Sequence, residues 1–475
     1  MIKKLFNLSL DKLSSVGLLK RKFMTVRERI LIIGNGFDLA HFLPTKYEHF
    51  IHAMRVVEEA TSDTSLAFEH LYKDLLDNED FILTKCKELY KTEEIEMTAE
   101  KVDNLRDKLI DNGWFQFFKS QIDSGIDTWI DFENEIKNAL NSICSLVDEI
   151  ERDAQHFLIA EDRKVASIQA KLITEKMFRK HPAIVKILWQ FEIIEKNQVD
   201  RRHFILNREF IKYYHGRAVY LDTNKVFLNL IKHWNNFIEI FSIYIEYIDT
   251  FNPRKTLVVP KALSKDECTI YSFNYSSTVE RIYNHAHIQF LHGKTGVNNT
   301  NTIVLGISAL ENKLLVEEKA YGFVKYYQKL VNNTDYQFLR GNPDLTGLEK
   351  EKFETSTLGS NEIIEIYIWG HSLDSSDSDY IKEIFSFNQG PNPSINLIIY
   401  YFSSPHAQLA NLISIMGKDV IERWMKEGWL EFVESPDVYR LNTEECYEDK
   451  LSKRSEKKPR KLFGQENKKS IFSDV

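Results

Sequence analysis

"ERILIIGNGFDLAH" (28–41) decides how the rest of the chain is read. Ile30, Leu31, Ile32 and Ile33 run without polar alternation, the pattern of a short strand buried on both faces. Gly34-Asn35-Gly36 then permits a tight turn, and Phe37 to His41 begin a helical pattern. Strand, glycine turn and helix form the opening unit of a nucleotide-binding α/β domain. Two residues depart from the dinucleotide fingerprint. Leu39 stands at the place of the third glycine, and Asp38 puts a carboxylate where a phosphate looks for free N–H groups. Three roles are open to Asp38: a helix cap turned away from any ligand, an acceptor for ribose hydroxyls, or a catalytic or cation-binding acid. His41, three residues on, shares its helix face and could pair with it.

β-rich runs reappear past residue 255: "CTIYSFN" (268–274), "TIVLGIS" (302–308), "IIEIYIWG" (363–370), "INLIIYYF" (395–402) and "GWLEFVE" (428–434). Most are followed by helical patterns, as in "PHAQLANLISIMG", where Pro405 suits a helix's first turn. Such alternation predicts a parallel sheet covered by helices on both faces. The stretch between has apolar residues at helical spacing. Phe227, Leu230, Ile231, Trp234, Phe237, Ile238, Phe241 and Ile245 form one core-facing stripe. The expected architecture is an α/β, Rossmann-like parallel sheet made by 29–50 and 255–445. It is split by an all-helical insertion over 51–254, between a basic extension (1–28) and a basic tail (446–475). Residues 332–361 read as a loop-rich excursion.

The 475 residues suffice for two or three domains' worth of core, and 43% apolar with 28% charged residues is an ordinary globular composition. The net charge of −8 is uneven. Residues 1–29 carry eight Lys/Arg against two acids, and 450–475 carry nine against three, so the body is more acidic than the total implies. An acidic body argues against a broad nucleic-acid platform. The basic ends read as solvated tails, or as contacts for nucleic acid or an acidic partner. No apolar run approaches the ~20 residues of a membrane span. The start resembles no signal peptide; it reads as an amphipathic helix or as an extension upstream of Met24. Cys86, Cys144, Cys268 and Cys446 lie far apart without metal-ligand spacing, fitting buried thiols in a reducing cytoplasm and no metal centre.

In a doubly wound sheet, ligands bind beyond the carboxyl ends of the strands. Those positions hold the glycine loop, Asn274-Tyr275-Ser276, His292-Gly293-Lys294, Gly370-His371-Ser372 with Asp374, Asp377 and Asp379 beyond, and Ser403-Ser404. Each has a plain structural reading. The glycines serve any tight turn; Asn274 and Ser372 could cap helices; His292 could be a packed core histidine; the aspartates could form a solvated first helical turn. Their joint placement at strand ends is what points to a cleft.

"IIGNGFDLAHFLPTKY", "WIDFENEI" (129–136), "SFNYSSTVERIY", "LHGK" and "IYIWGHSLDSSDSDYI", in this order, closely resemble the AbiH family of bacterial proteins associated with abortive infection by phage. The resemblance spans about 30–402. More distantly, the order of glycine loop, Asn-Tyr, His-Gly and Gly-x-Ser-Leu is similar to sirtuin-like NAD-binding domains, some of which are antiphage enzymes that hydrolyse NAD. That likeness implies Asn274 and His292 as a catalytic pair, joined here by Asp38. It also implies nucleotide contacts from Gly34, Asn35, Gly36, Phe37, His41, Tyr275, Gly293, Gly370, His371 and Ser372. Ser276 replaces the acid that follows Asn-Tyr in that wider group, and Gly34-Asn35-Gly36 replaces Gly-Ala-Gly. The implied ligand is NAD or a related nucleotide, with no other cofactor required. The implied partners are a phage-derived trigger and a second copy of the chain. Trp129, Asp131 and Glu133 belong to the same pattern and either cover the cleft or begin an ordinary capped helix. A nucleotide sensor without catalysis is the rival reading. A nuclease built on Asp38, Asp374, Asp377 and Asp379 is the third.

Overall fold

A computed structural model describes residues 25–121, 129–158, 182–196, 204–214, 217–258, 268–284, 288–295, 302–332, 334, 338–339, 362–388 and 395–443. The basic ends, Cys446 and most of the 332–361 excursion lie outside the described residues.

Six parallel strands form the central sheet: β1 (Thr25–Ile33), β2 (Cys268–Ser272), β3 (Ile288–Phe290), β4 (Glu362–Trp369), β5 (Ile395–Tyr401) and β6 (Leu430–Glu434). Their spatial order is β6-β5-β4-β1-β2-β3. Read from the other edge this is 3-2-1-4-5-6, the doubly wound Rossmann order. Strand order reverses between β1 and β4, where Ile33 pairs with Trp369. The apolar run of β1 divides by parity. Ile30 and Ile32 face one core with Ile366, Ile399 and Trp424, while Leu31 and Ile33 face another with Phe37, Ile270 and Val279. Period two sends alternate side chains to opposite faces, so an uninterrupted apolar strand needs cover on both. Burying each such side chain is worth about 1.5–3 kcal/mol.

Three helices serve the first core: α7 (Ser378–Ser386), α8 (His406–Met416) and α9 (Lys418–Lys426). Short ones serve the second: α1 (Asn35–Ala40), α5 (Thr278–Tyr283) and, through Val438, the helix Val438–Thr443. Pro405 takes the N-cap place of α8.

A third and larger core runs through the segment between β1 and β2. It gathers α2 (Tyr47–Glu59), α3 (Trp129–Leu158) and α4 (Thr223–Ile248). The α4 stripe is buried as its spacing predicts: Phe227, Leu230, Trp234, Phe237, Phe241 and Ile245 are inside, with Ile231 and Ile238 packed at its margin. Cys86, Cys144 and Cys268 are buried free thiols. Among the described residues no helix is long and apolar enough to cross a membrane.

Four sequence expectations need correction. β1 starts at Thr25, inside the segment assigned to the basic extension. Residues 302–308 form no strand of the sheet. They are held instead by bonds from Thr302 N–H to the Lys294 carbonyl and Val304 N–H to the His292 carbonyl and by an isolated bridge between Ile307 and Val324, and the edge place goes to Ile288–Phe290. The 51–254 segment is not wholly helical. It contains antiparallel pairs Leu66–Ala67 with Glu96–Met97, Ile194–Lys196 with Phe204–Leu206, and Ile211–Tyr214 with Arg217–Leu221. Runs of two to five residues are too short to impose period two on the sequence. Lastly, of the two alternatives for the aspartates, the solvated first turn fails at Asp377, which is buried.

Candidate functional site

A cleft of about 430 Å³, within the range of small-molecule sites, opens at the carboxyl ends of the strands. It lies at the switch point between β1 and β4, where a doubly wound sheet parts its loops. The loops after β1, β2, β4 and β5 line it with His292, as the strand ends predict. The segment between β1 and β2 adds Glu133 from α3 and Phe241 and Ile245 from α4, and Lys325 comes from α6 (Lys325–Asn332).

The loops after β1 and β4 are pressed together backbone to backbone. Gly34 N–H donates to the Trp369 carbonyl at 3.0 Å, and Gly36 N–H to that of Gly370 at 2.8 Å. A Cβ on Gly36 would stand 2.8 Å from the Gly370 Cα, and one on Gly34 2.7 Å from the His371 Cα. Phe37 N–H turns back to the Gly34 carbonyl. The glycines are therefore explained by loop packing, and three of the N–H groups expected to cradle a phosphate are already bonded.

Asp38 is buried and lines the cleft. It caps nothing, since α1 has no side-chain cap bond, and it does not meet His41. Ser276 Oγ donates to Asp38 Oδ2 at 2.5 Å, while Oδ1 has no hydrogen-bond partner among the described residues. Ser276, which breaks the Asn-Tyr-acid pattern, is thus the residue that holds an acid from the neighbouring loop. Burial pushes the Asp38 carboxyl up to about 6, against the bond from Ser276. Between its ordinary value of 3.8 and about 6, the folded chain binds a proton that the unfolded chain has lost. Stability from this group therefore falls as pH rises through that window and stays lower above it. Asp38→Asn is expected to be more stabilising at pH 8 than at pH 3, by roughly 3 kcal/mol in urea denaturation. A mutational difference independent of pH would remove Asp38 as the group responsible.

His41 spends both ring nitrogens elsewhere, Nδ1 on the Phe37 carbonyl at 2.7 Å and Nε2 on the Tyr283 hydroxyl at 2.6 Å. Burial lowers it to about 4. Phe37 packs edge-on against Trp369. Neither Phe37 nor His41 lines the cleft, and nor does Gly293, whose left-handed φ of 71° serves a turn packed on Thr302. Gly34, Asn35, Gly36, Tyr275, Gly370, His371 and Ser372 do line it.

Asn274 lines the cleft at 4% exposure, and neither atom of its side-chain amide has a hydrogen-bond partner among the described residues. It does not cap α5, whose cap position is Ser277. Burying both halves of an amide unpaired costs about 1–3 kcal/mol each on mutational scales.

Asp377 organises the opposite wall. Its Oδ1 meets His292 Nε2 at 3.1 Å and its Oδ2 meets His371 Nε2 at 3.5 Å. Leu373 N–H donates to His371 Nδ1 at 2.9 Å, so His371 carries its proton on Nε2. Burial, together with Lys329 and Lys325, lowers His292 to about 3 against the pull of Asp377. His292 is thus neutral, donates from Nε2, and keeps a lone pair on Nδ1. Phe273 wedges against both imidazoles, at 5.0 and 4.3 Å between ring centres. Although burial opposes it, Lys325 and His292 hold Asp377 well below the usual carboxylate range.

Lys325 was not singled out in the sequence. It is 4% exposed, meets Glu133 Oε1 at 2.5 Å and lies 3.5 Å from Ser376 Oγ. Glu133 brings the "WIDFENEI" segment to the cleft; the side chains of Trp129 and Asp131 lie outside the described residues. Of the four aspartates of the nuclease reading, Asp38, Asp374 and Asp377 line the cleft, but among the described residues no three acidic, histidine or cysteine side chains are grouped so that they could hold a metal ion. Asp374 accepts from Ser376 N–H, Asp377 is engaged by two histidines, and Asp379 is exposed and absent from the cleft lining.

A family model described as bacteriophage abortive infection AbiH matches residues 30–401, which include every residue of the cleft except Phe402, Ser403, Ser404 and Gln408. No curated protein and no solved structure matches the chain.

Proposed function

The chain belongs to the bacteriophage abortive infection family AbiH, and from that premise we propose that it acts by binding a nucleotide in this cleft and hydrolysing its N-glycosidic bond, with NAD as the substrate. The unpaired Asn274 amide carries this reading. A buried donor and acceptor left without protein partners is matched by a ligand that offers both, and a ribose hydroxyl does so through one oxygen. The free Oδ1 of Asp38 accepts from a second hydroxyl and faces the positive charge that develops on the sugar.

Hydrolysis of NAD asks little else. As the bond from C1′ breaks, its electron pair returns to the pyridinium nitrogen, so nicotinamide leaves neutral and needs no proton. A water oxygen bonds to C1′. Its proton passes to His292 Nδ1, whose ring is set by Asp377, and then to solvent. The narrower choice of NAD rests on the likeness of the motif order to sirtuin-like domains. A phage-derived trigger would release the activity in infected cells.

A second reading, a nucleotide sensor without turnover, is favoured by one observation: His292 is buried and tied through Nε2 to Asp377, and burial makes an imidazole a weaker base. Incubation of the full-length protein with NAD, with and without phage components, separates the two. Nicotinamide detected by chromatography, and reduced about 10²–10⁴-fold by His292→Ala, supports hydrolysis. Nucleotide binding without nicotinamide leaves the sensor. Turnover undiminished in His292→Ala removes His292 as the base.

A further inference from the structure

We infer that Lys325 is the phosphate-recognition residue of the cleft, and that Glu133 is an internal counter-anion that occupies it until a diphosphate displaces the carboxylate. This rests on the nucleotide reading of the same cleft and adds to it a recognition residue and a coupling between cleft and insertion.

A nucleotide diphosphate needs compensating charge or N–H donors. The glycine loop supplies little, because the Gly34, Gly36 and Phe37 N–H groups are bonded to protein carbonyls. α1 has only six residues and carries Asp38. Charge must therefore come from a side chain. Lys325 is the one lysine or arginine among the described residues that line the cleft, against Asp38, Glu133, Asp374 and Asp377. In this structure its ammonium is committed to Glu133 at 2.5 Å. An anion entering beside it meets a neutralised lysine and an excess of carboxylates, which like-charge repulsion disfavours.

Glu133 is the replaceable partner. Asp377 is fixed by His292 and His371 and belongs to the sheet side of the cleft. Glu133 stands near the start of α3, in the segment inserted between β1 and β2, and its side chain is 20% exposed against 8% for Asp377. A diphosphate that takes its place on Lys325 pushes away the first turns of α3. Conversely, whatever draws α3 aside frees the lysine. Nucleotide binding and the position of α3 are thereby coupled, and the coupling is reciprocal.

The test is calorimetric titration of the full chain with ADP-ribose, the diphosphate-bearing product, and separately with inorganic pyrophosphate. Glu133→Gln, which keeps the shape but removes the competing charge, is expected to bind both at least tenfold more tightly than wild type. Lys325→Gln is expected to lose tenfold or more, Lys325→Arg to retain binding, and the Glu133→Gln, Lys325→Gln double variant to be no tighter than Lys325→Gln. Circular dichroism and thermal melting establish that each variant is folded. ADP-ribose binding that depends on Asn274 but is indifferent to Glu133→Gln and Lys325→Gln overturns this inference and leaves the nucleotide reading intact. No binding of either probe by any variant, with no nicotinamide from NAD, overturns both.

Discussion

Asn274→Leu is expected to melt higher than the wild type while losing nicotinamide release from NAD. Both effects follow from one observation, a buried amide whose nitrogen and oxygen have no hydrogen-bond partners among the described residues. In the ligand-free fold those atoms have left water without replacement, a cost of about 1–3 kcal/mol each. Leucine has the same branched side chain of four heavy atoms and needs no partner, so a gain of about 1–3 kcal/mol is expected in chemical denaturation. The same change removes the donor and acceptor that grip the ribose. Losing one positioned group of that kind costs about 10²–10³ in turnover. Opposite signs for stability and activity are the mark of a group kept for a ligand. An asparagine that held the loop together would lower both, and a less stable Asn274→Leu would remove the observation on which the nucleotide reading stands.

Gly370→Ala carries the largest expected stability loss. Its φ of 75° is left-handed, and a Cβ there would stand 2.0 Å from the Phe37 nitrogen and 2.4 Å from the Gly36 carbonyl carbon. Both obstacles are backbone, so no side chain can yield. Separation of the loops after β1 and β4 would break the 2.8 Å bond from Gly36 N–H to the Gly370 carbonyl. A loss of more than about 4 kcal/mol is expected in denaturant unfolding, or failure to fold. Ala at Gly417 is the control. That glycine also has positive φ, 84°, with ψ 153°, but nothing lies within 4 Å of its added Cβ, so only backbone strain of about 1–3 kcal/mol is expected. Equal losses at the two positions would show that conformation alone, not contact between the loops, makes Gly370 a glycine.

The Asp38 carboxylate shows where local reading ends. Its place at the mouth of a helix permitted a cap, a ribose contact or a catalytic acid. The capping role fell because α1 has no side-chain cap bond, and the pairing with His41 because that ring is held by Phe37 and Tyr283. Ser276, 238 residues away, is the actual partner. For Asp374, Asp377 and Asp379 the sequence leaves open a solvated helical turn or a place in a site; Asp377 accepts from two histidines on different loops. Lys325 left no signal at all. It follows no strand and stands in no motif, and only its burial beside Glu133 marks it.

Alternation and uninterrupted apolar runs are properties of neighbouring residues. They determined, without any structure, that β1, β2, β4, β5 and β6 are strands of a parallel sheet, that α4 is a core helix, and that glycine, asparagine and histidine stand at strand ends. Hydrogen-bond satisfaction and charge pairing join residues hundreds of positions apart, so tertiary structure alone could decide them. It decided the strand order that places the cleft between β1 and β4, spent the glycine-loop N–H groups on the loop after β4, and left the Asn274 amide unpaired. A side chain's type is written in the chain; what remains for it to bind is set by what the fold has already placed beside it.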